Sequence, residues 1–246
     1  VSAKIGQALE ADAREFNRSQ PRKSFIKMSM KFSGRTSFIN LPASALEEME
    51  QKIQCEKCGA HYAVVGSAFY CPCCGHNSAK LTFFNTIDKV KAKINNLDVV
   101  RKALEVVSKD EAARTCTSLV ETSVPDLVVA FQRLCECVYP QIEGAKPLKR
   151  NVFQRLDDGN KLWHDLAGKG YDDWITDAQY AKLRKCFQQR HLLQHQDGIV
   201  DQDYINKSGD VSYQIGQHLI IKAEDITEYA GIVETLGKQV LALLEG

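Results

Sequence analysis

The sequence predicts a mainly α protein: a helical bundle preceded by a small β-rich module built around a cluster of cysteines. Three observations predict it. From Asn85 onward, apolar residues recur at three- and four-residue steps over several long stretches, the period of helices with one buried face. Before that point, residues 25–32 alternate in character, the period of a strand. Between them stands Cys55-Glu56-Lys57-Cys58, followed after twelve residues by Cys71-Pro72-Cys73-Cys74-Gly75. The expected division is a basic segment with a hairpin and a short helix in 1–52, a zinc ribbon in 53–82 and the bundle in 85–246.

The bulk numbers are those of an ordinary globular protein: 246 residues, 44% hydrophobic, 26% charged, with a net charge of +1. The distribution of charge is more telling than its sum. Between Arg14 and Arg35 seven basic residues face one acid, Glu15, and after Asp197 the acids outnumber the bases. An anionic partner for the N-terminal part is the expectation, with Lys23, Lys27, Lys31 and Arg35 as its contacts. No apolar run has the length of a membrane span, and no signal-peptide pattern opens the sequence. Cysteines inside helical patterns (Cys116, Cys135, Cys137, Cys186) suit a reducing compartment, so a cytoplasmic location is expected. The same four thiols are expected to be inert, buried small hydrophobes.

In chain order, a short helix is predicted over Ala3 to Phe16. A strand follows with Ile26, Met28, Met30 and Phe32 on one face and Lys27 and Lys31 on the other, and Ser33-Gly34 turns it into Thr36–Leu41. A helix is predicted from Ala43 to Ile53. After the cysteines, Ile87, Val90, Ile94, Leu97, Val100, Leu104 and Val107 form one helical stripe capped at Asn85 or Thr86. A second helix from Asp110 is expected to break near Pro125, where Ser123 caps a fresh start, and to stop at Pro140. A third covers Leu148 to Leu166 and closes at Gly168 and Gly170. A fourth starts at Thr176. Tyr213–Ile221 alternates weakly, as a strand would, and Ala223–Leu244 is a last helix.

Two CxxC pairs at this separation fit a tetrahedral Zn(II) site, each pair held by a tight knuckle. Gly59 and Gly75 follow the second cysteine of each pair and free the backbone for that turn. His61 to Tyr70 reads as two short strands around Gly66-Ser67. Cys55, Cys58, Cys71 and Cys74 are the preferred ligands, since Cys71 with Cys74 preserves the spacing; Cys73, His61 and His76 stand in reserve. Four thiolates leave no open position, so the metal is structural. Beyond stapling the segment, the ribbon offers Tyr62, Phe69 and Tyr70 as contacts for nucleic acid or protein.

The fourth helix carries Arg190-His191-Leu192-Leu193-Gln194-His195. Leu183, Cys186, Phe187 and Arg190 fall on one stripe, where a guanidinium is costly unless it is paired or faces a second chain. His191 and His195 are four apart and share a face. Surface histidines with a snorkelling arginine, a two-histidine metal site and a ribonucleolytic site all fit. For cleavage, one imidazole takes the proton of a ribose 2′-hydroxyl as it attacks phosphorus, another group protonates the leaving 5′-oxygen, and arginine holds the charge on the phosphate. One helix face is a thin active site, and pairing two copies about a two-fold axis doubles its groups.

Arg190, the polar residue after it, and His195 after four intervening positions resemble the signature of the HEPN family. The continuation Gln196 to Ile205 and the upstream Asn151 to Leu156 look like the family segments found beside zinc ribbons, and the resemblance spans Asn85 to Gly246. It implies a helical bundle that dimerises through its motif helices, and a metal-independent ribonuclease in a toxin–antitoxin, phage-defence or RNA-processing setting. It implies Arg190 and His195 as the catalytic pair, with His191 supporting or orienting; the second imidazole leaves open which histidine is the base. RNA, a second copy of the chain and an antitoxin or larger defence complex are the implied partners. Some members of the family only bind. The competing reading is a non-catalytic nucleic-acid-binding or scaffold protein that uses the ribbon and the basic strand, with the bundle as dimeriser.

Overall fold

A computed structural model describes residues 50–65 and 69–245, all within one compact unit. The predicted helix at 3–16, the strand and hairpin over 25–41, and Lys23, Lys27, Lys31 and Arg35 lie outside the described residues, as does the turn at Gly66-Ser67. The rest is mainly helical with one small antiparallel sheet, and no described helix is long and apolar enough to cross a membrane.

Strand β1 (Glu50–Gln54) pairs antiparallel with β2 (His61–Val65), with Gln54 opposite His61 and Ile53 opposite Tyr62. This corrects one expectation. Residues 50–53 are strand, not the end of a helix, because the knuckle at 55–60 folds them onto β2 and the ladder outweighs the helix preference of Glu, Gln and Lys. The β1–β2 hairpin encloses the first knuckle. The second knuckle is closed by a single bridge, Tyr70 to Asn77.

Ser78 caps α1 (Ala79–Asn95), its hydroxyl accepting from the Leu81 N–H at 3.2 Å. The helix therefore starts a turn and a half before the predicted Asn85. Phe83, Ile87 and Val90 line its buried face. The predicted stripe to Val107 is broken at Asn96, whose amide donates to the Ala92 carbonyl at 2.9 Å; there α2 (Leu97–Glu105) begins. Ser108 caps α3 (Lys109–Val138), which runs straight through Pro125. Pro125 removes one N–H, but Val124, Leu127, Val128 and Phe131 around it are fully buried, and each such side chain is worth about 1.5–3 kcal/mol. Ser123 caps nothing; its hydroxyl donates to the Leu119 carbonyl at 2.7 Å.

Two 3₁₀ turns, Tyr139–Gln141 and Val152–Gln154, lead to α4 (Leu156–Ala167), which starts later than predicted and ends at Gly168 with φ +70°. A single turn, α5 (Tyr171–Trp174), precedes α6 (Asp177–His195). Helix α6 opens as read from sequence: the Thr176 hydroxyl accepts from Gln179 N–H while the Gln179 side chain accepts from Thr176 N–H. Then come α7 (Gln202–Ser208) and α8 (Ala223–Ala242). Residues 213–221 form no strand. Gly216, at φ +86°, turns the chain there, and one bridge, Ile199 to His218, is all the pairing it makes.

Helices α3 and α8 touch each other, and each touches both α1 and α6. The main core fills this arrangement and continues under the end of α3, where Tyr139, Phe153, Trp163, Tyr171 and Trp174 pack ring against ring with centroids 5.2–6.0 Å apart. A second, small core of Leu192, Val200, Tyr204 and Leu219 joins the end of α6 to α7 and the segment before α8. It fixes the turn that carries the histidines.

Candidate functional site

The sulfurs of Cys55, Cys58, Cys71 and Cys74 all lie within 4.8 Å of one another. Two knuckles of like geometry bring them together. In the first, Gly59 N–H donates to the Cys55 carbonyl at 2.9 Å and Cys55 N–H to the Ala60 carbonyl at 2.9 Å; in the second, Gly75 does the same to Cys71, and Cys71 to His76, both at 2.8 Å. Gly59 and Gly75 sit at φ +72° and +69°, the left-handed region that makes glycine the fitting residue there. Cys55 lies 3.7 Å from Cys74 and Cys58 lies 3.5 Å from Cys71, sulfur to sulfur. Four sulfurs about 2.3 Å from a tetrahedral metal stand about 3.8 Å apart, so the set fits a structural metal. Cys73, His61 and His76 are outside it.

Without a cation the four thiols crowd one another's charge. Burial raises the proton affinity of Cys71, but backbone N–H groups of Cys74 and Cys73 and the neighbouring thiols outweigh it and bring its pKa to about 7. At Cys58 the Ala60 N–H lowers the value, and the thiols of Cys74, Cys71 and Cys55, with burial, carry it up to about 12. A shared proton network with widely split steps is what a dication replaces.

The second constellation lies at the end of α6. Leu183, Cys186 and Phe187 are buried in the core, and Arg190 continues that stripe at 9% exposure. Its Nε is buried with no hydrogen-bond partner, and no carboxylate lies within ion-pair distance of it among the described residues. Burial accordingly lowers its pKa. His191 and His195 are exposed, with ring centroids 5.0 Å apart. Burial first, then the charges of His195 and Arg190, lowers the pKa of His191. Among the described residues no third ligand-type side chain joins the two imidazoles, which leaves the two-histidine metal site without support. Structure thus puts the histidines together on the surface and Arg190, on the same turn, inside.

Sequence reasoning missed three neighbours of this turn. Gln189 is 1% exposed, with neither amide atom hydrogen-bonded. Asp210 accepts from Lys185 of α6 at 2.8 Å and from the Tyr204 hydroxyl at 2.9 Å, tying the motif helix to the segment after α7. Gln194 lines a groove between α1 and α3. Only Gln194 carried a legible signal, standing four residues after Arg190 and so on its face.

Of the remaining thiols, Cys116, Cys135 and Cys186 are buried as expected, and burial pushes Cys135 up to about 12. Cys137 is exposed, against expectation, because it lies two residues past Cys135 on α3 and faces outward. His164, Asp172 and Asp173 also gather, all exposed. The 2.8 Å from His164 Nε2 to Asp172 is a hydrogen bond that closes the turn between α4 and α5. No family model, curated protein or solved structure matches the chain.

Proposed function

We propose that the protein is a metal-independent endoribonuclease of the HEPN type, cutting RNA by attack of a ribose 2′-hydroxyl at a site that a second copy of the chain completes. The observation that carries the reading is two exposed imidazoles, 5.0 Å apart, on the turn that also holds Arg190, a cation with no carboxylate partner among the described residues. One imidazole accepts the 2′-hydroxyl proton, and the oxygen forms a bond to the adjacent phosphorus. The bond from phosphorus to the 5′-oxygen breaks, and that oxygen takes its proton from the other imidazole. The products are a 2′,3′-cyclic phosphate and a 5′-hydroxyl, and Arg190 offsets the charge that builds on the phosphate. The lowered pKa of His191 favours its neutral form, the one able to accept a proton. Ile199, Ile215 and Ile220, exposed on the segment after α6, supply apolar surface for the second copy. The cysteine cluster is assigned to structural Zn(II), and the resemblance to the HEPN family points to a toxin or phage-defence setting inside the cell, with an antitoxin or defence complex as partner.

One observation favours the second reading, RNA binding without cleavage. Arg190 is largely enclosed within its own chain, so its fork reaches little of the solvent from which a phosphate arrives. The deciding experiment is cleavage of single-stranded RNA in EDTA. Cutting by the wild type, lost in His195→Ala and in Arg190→Ala with unchanged circular dichroism, supports the enzyme. Resistance of a substrate with 2′-deoxyribose at the cut position supports 2′-hydroxyl attack. Equal activity in all three proteins sinks the site, and binding without any cutting leaves the second reading.

A further inference from the structure

A groove of about 730 Å³ runs between α1 and α3, from Asn77 at the edge of the ribbon to Gln194 at the end of α6. Its volume is within the range of roughly 300–1,000 Å³ usual for small-molecule sites. Gln194 lies one turn beyond Arg190 on the same face of α6, so the groove opens beside the turn proposed to cut RNA.

Its chemistry is selective. Thr82, Thr86 and Thr122 line it, and each commits its hydroxyl hydrogen to the backbone carbonyl four residues earlier (Ser78 at 2.9 Å, Thr82 at 2.8 Å, Ser118 at 2.8 Å). Toward the groove these hydroxyls offer lone pairs, which accept and do not donate. Asp126 is neutralised by Lys93 at 2.6 Å. Arg133 is exposed, has no carboxylate partner among the described residues, and is the one lining cation. Pro125, Val129 and Ala130 give an apolar wall. A fitting occupant has an anion, hydrogen-bond donors and a flat apolar face. A nucleotide has all three: phosphate, ribose hydroxyls or base amines, and the base itself.

We propose that this groove seats one nucleotide of a bound RNA strand, with Arg133 holding its phosphate. The substrate class rests on the reading of the protein as one that engages RNA; the seat does not require that the RNA be cut.

The test is binding of a fluorescein-labelled, short, mixed-sequence single-stranded RNA to the full chain carrying His195→Ala, which prevents turnover. Adding Arg133→Ala is expected to weaken binding about tenfold and to reduce the slope of log affinity against log salt by about 0.7, one phosphate contact on a single strand. Arg133→Lys keeps the charge and is expected to restore the slope, which a merely structural role would not do. Val129→Phe, which narrows the groove, is expected to weaken binding with no change in slope. Unchanged affinity and slope in Arg133→Ala overturn the proposal, as does a parent that binds no RNA. Arg133-dependent binding of an oligoglutamate peptide in place of RNA overturns it in favour of a protein ligand. If RNA binds through Arg133 but is never cut by the wild type, the nuclease reading falls and the groove stands. If RNA is cut while Arg133→Ala changes nothing, the reverse holds.

Discussion

The rings of His191 and His195 lie 5.0 Å apart with their planes inclined at 50°, so charge on His195 opposes a proton on His191. Burial and the charges of His195 and Arg190 together place the His191 pKa below its usual value. Replacing His195 by alanine leaves the burial and removes one charge, so the pKa of His191 is expected to rise; Arg190→Gln should move it the same way. NMR titration of the imidazole C–H signals reads this directly. Identical His191 titration curves in wild type and both variants would contradict the coupling. Because the folded value is depressed, stability is present above the ordinary histidine pKa and declines as pH falls through that value toward the folded one.

Arg190 carries a buried Nε with no partner. Leaving such a donor unsatisfied costs about 1–3 kcal/mol, whereas its methylenes pack on the α6 stripe. Arg190→Met keeps the packing and removes the donor. It is expected to unfold at the same or a higher urea midpoint while abolishing cleavage. A loss of several kcal/mol would mean that the guanidinium is satisfied by a partner in the folded state.

Asp210 is held at a pKa of about 2: burial raises it, and Lys185, Ser212 and Tyr204 more than offset that. Its contribution to stability, about 2 kcal/mol, is present above pH 3.8 and is lost as pH falls from there toward 2. Asp210→Asn should therefore lower stability near pH 7 by about that amount and flatten the acid limb of the stability curve. An unchanged limb would assign the acid transition to other carboxylates.

The ribbon and the bundle bury separate sets of side chains: Cys55, Val64, Phe69 and Cys71 belong to neither helical core. Replacing Cys55 and Cys58 by serine is expected to abolish metal content, measured as about one metal ion per chain in the wild type. The bundle's thermal transition should persist. Retained metal in the double variant would overturn the ligand set, and loss of the helical transition would join the two parts into one folding unit.

Gly237 of α8 faces Phe83 of α1, and a Cβ added there would fall 2.3 Å from the ring. Gly237→Ala is expected to destabilise by about 1–3 kcal/mol despite alanine's better helix propensity. A stabilised variant would show that the helices can part at no cost.

What could be read in advance was what local chemistry decides. Thr176 and Gln179 announce α6 because capping is a contact within four residues, and the spacing of Cys55, Cys58, Cys71 and Cys74 names the metal set because knuckle geometry is local too. The Ser78 cap is equally local, but the apolar stripe of α1 begins only beyond it, so periodicity alone points to Asn85. Pro125 misled for the opposite reason: its penalty is local, but the packing that overrides it comes from α1, α6 and α8. That Arg190 continues the apolar stripe of Leu183, Cys186 and Phe187 is legible in the spacing; that its own chain encloses it is not. That Lys185, one turn and a residue earlier, takes Asp210 and leaves Arg190 without a carboxylate among the described residues depends on how the chain returns after α7, which no periodicity encodes.

The last turn of α6 is held by more than its own helical hydrogen bonds. Gln196 N–H and Gly198 N–H both donate to the Leu192 carbonyl, at 2.9 and 3.1 Å, with Asp197 and Gly198 in left-handed geometry and His218 stacked close against Gly198. Helix ends ordinarily open and reclose on fast timescales, which would smear the separation of any two side chains there. The doubly engaged carbonyl restrains that fraying. Folding by itself therefore fixes the backbone from which His191 and His195 project.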